Sequence, residues 1–276
     1  MNKKKILTIL VTIIFLVFLV YIFKDMSAKE FINAFKLFSF KYLFWIVFLY
    51  YLTMYFRGVR WKALLMDNPK YSNWHLGAVF IVGSMLNSFL PARAGDIYRA
   101  YYLGENKQEN KMKIFGSVIL ERTLDGISVF FILLFGVLFY CKNNPVILSA
   151  TYFFGAVFIG SMIAFYLIFK FNKIDLVCEK TENILEKCHM NKLSGVVKSL
   201  NKHANSFMEG FEVLDSWKLT LKSAVMSASI WGVECYVAFL ILESFNLALP
   251  FSASLFVISL ISFSAMLPST SIFFGP

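Results

Sequence analysis

The stretch GAVFIVGSMLNSFLPARAGDIYR, residues 77–99, decides the fold of this chain. Residues 77–90 carry no charge, and a proline, a glycine and three charged side chains follow at once. A helix loses a backbone hydrogen bond at a proline, and in lipid the freed polar groups need protein or water as partners. The stretch therefore predicts a membrane-depth helix that is broken at Pro91 and lines a cavity rather than facing lipid.

The composition is that of a multi-pass membrane protein. Of the 276 residues, 58% are hydrophobic and 32 are Phe, well beyond the roughly 45–50% apolar content of soluble domains. The formal net charge of +10 does not indicate nucleic-acid binding, because the basic residues lie in short segments between hydrophobic spans. We therefore expect no nucleic-acid partner, and an all-α, polytopic transmembrane helical bundle.

The basic segments predict the orientation. Lys and Arg concentrate in residues 57–75, 91–113 and 170–218, and basic segments stay on the cytoplasmic side of the cell membrane. The N-terminus and the 172–218 segment are then cytoplasmic. Because only residues 77–90 separate the first two basic segments, we expect a re-entrant helix there.

The apolar spans form one predicted domain over residues 1–276. They cover residues 6–23, 41–56, 77–90, 114–140, 145–169, 219–242 and 250–267. The polar insert, 172–218, has apolar residues at helical spacing and predicts two amphipathic helices that pack on each other or on the membrane surface; a partner-binding module is the alternative. The sequence is also expected to be truncated after Pro276.

A second Leu-Pro pair echoes the first. SMLNSFLP ends at Pro91 and SFSAMLP ends at Pro268, and a glycine follows each, at Gly95 and Gly275. Broken hydrophobic segments in corresponding positions indicate inverted repeats in transporters. The echo predicts a second re-entrant segment broken at Pro268.

Charged residues inside the predicted spans need partners. Glu121, Arg122 and Asp125 lie within 114–140, where an unpaired charge costs about 2.5–3.5 kcal/mol on insertion scales. Glu121 and Asp125 share a helix face, and Arg122 points elsewhere. They form either an ion-pair cluster that holds helices together or a polar floor for a phosphate-bearing or cationic headgroup.

Glu234 is the acidic residue at the middle of the 219–242 span. Its partner is Arg93, Arg99 or Arg122, or else it is protonated through burial. An interhelical hydrogen bond is the structural alternative to a functional role.

Two arginines flank the Gly95-Asp96 turn. Arg93 and Arg99 present planar guanidinium groups suited to phosphate, and a half-helix end nearby adds backbone N–H donors. Asp96 is their local counter-ion if they serve only as anchors. The alternative is that they only anchor the chain at the cytoplasmic surface, as Arg57, Arg60 and Trp61 are expected to do at the end of the 41–56 span.

Cofactor and catalytic signals are weak. The four cysteines form no C-x-x-C pair and the three histidines lie outside the spans, so neither a metal site nor a cofactor is predicted. The carboxylates are accompanied by no Ser/His or Cys/His arrangement. Whether the chain is an enzyme is left open.

At these residues the chain resembles the lysylphosphatidylglycerol synthase transmembrane region family of flippase-like membrane proteins. The most specific match is Asn87 with Leu90-Pro91-x-Arg93-x-Gly95-Asp96-x-x-Arg99-Ala100. Supporting matches are Arg57-x-x-Arg60-Trp61, Glu121-Arg122-x-x-Asp125 and Leu267-Pro268. Family members usually continue the last element with Pro-Gly-Gly-x-Gly and a glutamate, from which residues 269–276 depart.

The resemblance implies a membrane protein that moves a lipid between leaflets, such as aminoacylated phosphatidylglycerol or a polyprenyl-phosphate-linked sugar. Larger members add a soluble domain that transfers lysine to phosphatidylglycerol, which alters surface charge and resistance to cationic peptides. The alternative is the membrane part of a phosphatidylglycerol lysyltransferase or of a lipid-linked glycosyl transfer system. A membrane lipid is the expected partner, and a homodimer or a partner synthase stays open. The substrate-binding residues predicted are Asn87, Pro91, Arg93, Gly95, Asp96, Arg99, Glu121, Arg122, Asp125, Glu234 and Pro268.

Overall fold

A computed structural model describes residues 28–90, 93–140, 144–149, 151–153, 155–156, 159–160, 181 and 191–266. Pro91 and Pro268 lie outside the described residues, as do the predicted first span and the first amphipathic helix of the insert. The second Leu-Pro break is therefore still a prediction.

Regular structure in the described ranges is helical, which confirms the all-α prediction. The helices are α1 (Ala28–Leu37), α2 (Leu43–Leu64), α3 (Asn73–Phe89), α4 (Ala94–Lys107), α5 (Lys111–Tyr140), α6 (Asn191–Met208), α7 (Trp217–Ser244) and α8 (Phe251–Met266). A 3-10 turn, Phe40–Tyr42, precedes α2, and a 3-10 helix, Glu209–Asp215, joins α6 to α7.

Within the described ranges, three helical segments are long and apolar enough to cross a membrane: Phe40–Leu64, Lys111–Tyr140 and Trp217–Ser244. In contrast, α3 has 17 residues and is about 26 Å long at 1.5 Å per residue. A hydrocarbon core is roughly 30 Å thick. The α3 helix is therefore a few ångströms shorter than the hydrocarbon core is thick, and α4, with 14 residues, is shorter still.

The helices pack as a closed ring. Along the chain α2 packs on α3, α3 on α4 and α4 on α5, and the ring then continues through α8 and α7 back to α2. Contacts of α5 with α2 and α7 cross the interior of the ring. Side chains on the inner faces of α2, α5 and α7 therefore meet.

The two ends of the bundle differ in character. Ion pairs join residues 65–72, 105–113 and 209–222 at one end, which we call the charged end: Lys70 with Glu109 and Lys222 with Asp67. At the opposite end, Ser39 N–H donates to the Ser244 carbonyl at 2.7 Å. The start of α2 thus meets the end of α7, so these two helices are antiparallel.

Helices α3 and α4 form a hairpin whose open ends both lie at the charged end. Lys70 precedes α3, Glu109 follows α4, and their side chains pair at 2.6 Å. Between these residues, burial raises the pKa of Tyr71 to about 12, with the Glu109 carboxylate adding to the rise. The Tyr71 phenol therefore stays neutral at physiological pH.

The hairpin arms cross where two glycines meet. A Cβ added to Gly95 would lie 1.9 Å from the Gly83 carbonyl oxygen and 2.7 Å from Asn87 Oδ1. Only a residue without a side chain permits this approach. Gly95, predicted as a substrate-binding residue, thus has a packing role that brings Asp96 and Arg99 against the bundle.

The apolar core lies toward the charged end. Trp61, Leu76, Leu103, Val118 and Phe211 are buried there together. The N-terminal half of α2, in contrast, exposes Phe44, Trp45, Phe48 and Tyr51, as expected of a surface in contact with lipid. The packed region lies next to the charged side chains described below.

Candidate functional site

One face of α2, which carries two arginines, is buried toward the interior of the ring. Its buried residues include Thr53, Arg57, Arg60, Trp61 and Leu64, which recur at helical spacing on one face. Arg60 and Trp61 are each 0% exposed. The prediction that these residues anchor the chain at headgroup level is wrong, because the helix continues past residue 56 to Leu64 and turns them inward.

Arg60 holds the two acids of α5. Its Nη2 donates to Glu121 Oε1 at 3.1 Å and its Nη1 donates to Asp125 Oδ1 at 2.8 Å. Nη1 also donates to Ser227 Oγ on α7 at 3.0 Å. One guanidinium group therefore ties α2 to both α5 and α7, and Glu121 and Asp125 share the face that the sequence predicts.

Arg99 of the hairpin completes the pairing of Glu121. Its Nη2 donates to Glu121 Oε2 at 2.5 Å, and both side chains are 0% exposed. Asp96 lies 3.6 Å from Arg99 Nη1 and accepts a hydrogen bond from Asn87 Nδ2 at 3.2 Å. The hairpin is thus held to α5 by charge, and Asp96 is a counter-ion of Arg99 as predicted.

Arg122 joins the acids of two helices. Its Nη2 lies 3.3 Å from Asp96 Oδ1 and its Nη1 lies 3.3 Å from Asp125 Oδ2. The Arg122 side chain is 23% exposed, in contrast to the fully buried Arg60. Trp231 Nε1–H donates to Asp125 Oδ1 at 3.1 Å and completes the surroundings of that carboxylate.

Glu234 pairs with Arg57 rather than with one of the three arginines predicted as its partner. Arg57 Nη2 lies 3.3 Å from Glu234 Oε1, and Arg57 Nη1 lies 3.7 Å from Asp125 Oδ2. The expectation that Glu234 pairs with Arg93, Arg99 or Arg122 missed this partner because it assigned Arg57 to the membrane surface. At 19% exposure the Glu234 side chain lies at the edge of the cluster.

We call these residues the charge cluster: Arg57, Arg60, Arg99, Arg122, Asp96, Glu121, Asp125 and Glu234. Its cations and anions are equal in number. Pairing offsets the cost of burying charge. The cluster therefore carries no net charge of its own.

Several arginine nitrogens of the cluster are buried and have no hydrogen-bond acceptor among the described residues. They are the Nε atoms of Arg57, Arg60, Arg99 and Arg122, and Nη1 of Arg99. Buried donors are almost always hydrogen-bonded in folded proteins. These N–H groups are therefore the donors of the cluster that further acceptor oxygens, from water or from a ligand, would satisfy.

Aromatic rings cover the guanidinium groups. The Cζ atoms of Arg57, Arg99 and Arg122 lie 4.8, 4.7 and 5.5 Å from the centre of the Phe80 ring. Arg99 Cζ also lies 4.1 Å from the Trp61 ring. These distances are within the range of cation–π attraction.

Arg93 lies at the tip of the hairpin, next to the cluster. It precedes α4 and has a left-handed backbone, with φ 53° and ψ 41°. This conformation costs a non-glycine residue on the order of 1–3 kcal/mol and is often found at functional sites. Arg93 is partly exposed and within electrostatic range of Arg122, Asp96 and Asp125.

The structure thus brings together most of the predicted site residues that it describes. Asp96, Arg99, Glu121, Arg122, Asp125 and Glu234 form one cluster with Asn87 beside it. The sequence did not predict Arg57 and Arg60 as members of the cluster, nor Phe80 as the ring that contacts its arginines. One signal in the sequence identifies Arg57 and Arg60. They are two arginines at i and i+3 at the end of an apolar stretch, and two acids at i and i+4 lie in another apolar stretch.

A comparison of the sequence with known protein families identifies the family of the chain. The family model described as "Lysylphosphatidylglycerol synthase TM region" matches residues 6–275. The chain belongs to this family. Neither a curated protein nor a solved structure matches it.

Membership of the lysylphosphatidylglycerol synthase TM region family confirms the predicted resemblance. Together with the long apolar helices, it gives the chain an integral membrane role in the handling of a lipid. The charge cluster gathers buried polar side chains from four of the helices, α2, α4, α5 and α7.

Proposed function

We propose that this chain is a flippase-like transporter that moves a phospholipid or lipid-linked headgroup, such as lysyl-phosphatidylglycerol, across the cell membrane. The headgroup passes along the charge cluster while the acyl chains stay in lipid. The observation that carries the proposal is the set of buried guanidinium nitrogens of the cluster that have no acceptor among the described residues. Phosphate oxygens, like carboxylate oxygens, accept strong and often bidentate hydrogen bonds from arginine.

Exposure divides the cluster into two parts. Arg60, Arg99, Glu121 and Asp125 are buried almost completely and pair with each other. The side chains of Arg122 and Glu234 are partly exposed at the rim of the cluster, and the partly exposed Arg93 lies next to it; we call these three the rim residues. In this proposal the ion pairs of the inner residues hold the helices together. The headgroup contacts the rim residues and the guanidinium N–H groups that have no acceptor among the described residues.

Translocation in liposomes tests the proposal. Purified protein is reconstituted with fluorescent phosphatidylglycerol, lysyl-phosphatidylglycerol or a polyprenyl-phosphate lipid, and the quenchable fraction is followed in time. We expect wild-type protein to accelerate exchange of one lipid class. We expect Arg93→Ala and Glu234→Gln each to slow it on the order of tenfold or more, since each removes a charge worth about 1.5–3 kcal/mol in a charge-assisted hydrogen bond.

The matched control is Lys218→Ala, because Lys218 is an exposed basic residue at the charged end, outside the cluster. Protein yield and elution profile must be the same for all four proteins. If wild-type protein accelerates no lipid, the transport proposal fails. If Arg93→Ala and Glu234→Gln transport normally, the rim is not the headgroup site.

The second candidate function is the membrane part of a phosphatidylglycerol lysyltransferase, and the family description favours it because it names a synthase. In that case the chain serves a lysyl-transferring domain that acts on the same lipid. The chain alone would then neither produce lysyl-phosphatidylglycerol nor move it between leaflets, and both would require the added domain. The liposome assay with this chain alone separates the two functions.

Orientation and re-entrance form a separate prediction. We propose that the charged end faces the cytoplasm and that the α3–α4 hairpin enters and leaves on that side. In a cysteine-free background, Ser72→Cys and Asn106→Cys flank the hairpin, and both positions are exposed. We expect both to react with an impermeant maleimide only after cells are permeabilised, and Asn144→Cys, exposed beyond α5, to react in intact cells. Labelling of Ser72→Cys and Asn106→Cys from opposite sides would exclude a re-entrant hairpin.

A further inference from the structure

Phe80 is a buried ring at which arginines from three helices meet. Arg57 belongs to α2, Arg99 to α4 and Arg122 to α5, and each guanidinium carbon lies between 4.7 and 5.5 Å from the ring centre. Phe80 itself belongs to α3 and is 4% exposed. Four helices are thus connected through one side chain.

Three guanidinium groups so close together repel each other in a site from which water is largely excluded. The carboxylates of the cluster offset this repulsion, but both oxygens of Glu121 and Oδ1 of Asp125 also occupy guanidinium N–H groups. An aromatic ring attracts a cation through its quadrupole and accepts no conventional hydrogen bond. It can therefore hold an arginine in place without occupying its donors.

The arginines around Phe80 do have N–H groups without an acceptor among the described residues. The Nε atoms of Arg57, Arg99 and Arg122 are buried and have no acceptor among the described residues. Trp61 also faces Arg99, at 4.1 Å, but its indole N–H is bonded to Ser117 Oγ. Phe80 is the ring that all three arginines share.

We propose that Phe80 is the positioning residue of the charge cluster: its ring holds Arg57, Arg99 and Arg122 together and keeps their remaining N–H groups available for an anionic headgroup. The headgroup part of this inference rests on the proposed function. The holding of the arginines by the ring does not.

A fluorination series separates ring electrostatics from packing. Phenylalanine with one, two or three ring fluorines is incorporated at position 80 of the full chain. Fluorine changes the shape of the ring little but withdraws negative charge from its faces, which weakens cation–π attraction stepwise. The same series at Phe207, whose ring packs against the rings of Phe115 and Phe211, is the matched control.

The first measurement is the unfolding temperature in detergent, which requires no transport activity. We expect it to fall with each added fluorine at position 80 and to change much less at position 207. A purely structural role predicts that Phe80→Leu lowers the unfolding temperature while the fluorinated proteins match wild type. That result would overturn the proposal.

The second measurement is lipid translocation by the same proteins. We expect the rate to decline in step with fluorination at position 80, on the order of tenfold from none to three fluorines. A rate that does not depend on fluorination would refute the role of Phe80 in headgroup binding. If wild-type protein moves no lipid, the proposed function fails, and the unfolding series alone then decides whether Phe80 holds the arginines.

Discussion

Replacement of Arg60 by alanine is expected to destabilise the folded protein by about 3–5 kcal/mol, because it breaks buried ion pairs and leaves carboxylates undercompensated. Arg60 is 0% exposed and binds Glu121 and Asp125 directly. Its hydrogen bond to Ser227 is lost as well, and with it one link from α2 to α7. Thermal unfolding in detergent, followed by size-exclusion chromatography, measures the loss.

Two further substitutions serve as controls for the stability of Arg60→Ala. Lys70→Ala removes an ion pair with Glu109 in which Lys70 is 57% exposed, and surface pairs are worth only about 0–1 kcal/mol. Arg60→Lys keeps the charge but lacks the planar fork that reaches two acids and a hydroxyl, so we expect an intermediate loss. Equal stability of Arg60→Ala and Lys70→Ala would contradict the role that we assign to Arg60.

Replacement of Gly95 by alanine is expected to destabilise the hairpin, although alanine is the better helix former. In an exposed helix interior this substitution stabilises by about 1 kcal/mol. At Gly95, however, the new Cβ would lie 1.9 Å from the backbone carbonyl oxygen of Gly83. The arms must move apart, at a cost of about 1–3 kcal/mol. Asp96 and Arg99 would move with α4, so we also expect slower translocation.

Gly232→Ala is the control, because we expect it to leave stability unchanged or to raise it, whereas Gly95→Ala lowers stability. Gly232 lies within α7, and a Cβ built there meets no atom within 4 Å. We expect the unfolding temperature of Gly232→Ala to equal or exceed that of wild type, while Gly95→Ala falls below it. A rise for both would show that the two hairpin arms do not cross as closely as Gly83 and Gly95 indicate.

The sequence predicted the helices well because lipid imposes simple rules on them. Apolar stretches at 114–140, 219–242 and 250–267 became Lys111–Tyr140, Trp217–Ser244 and Phe251–Met266. The break after Leu90 also separates two helices, as the sequence predicts. Length, hydropathy and the position of a proline are local properties, so sequence alone reveals them.

The membership of the charge cluster was predicted only in part. Glu121, Arg122, Asp125 and Glu234 are conspicuous, because charges are rare inside apolar spans. Arg57 and Arg60 lie just past an apolar stretch, where basic residues usually face headgroups. Their burial depends on α2 continuing to Leu64 and on its contacts with α5 and α7. The face that one helix turns toward another depends on both helices, so the sequence of either helix alone does not reveal it.

The sequence by itself determined that this chain is a helical membrane protein, which of its acids lie within apolar helices and where α3 ends. These follow from the cost of placing charge and unpaired backbone groups in hydrocarbon. Only the tertiary structure decided that Arg57 pairs with Glu234, that Arg60 holds both acids of α5, and that three arginines share the Phe80 ring. These contacts join residues far apart in the chain, and they depend on which helix faces pack together.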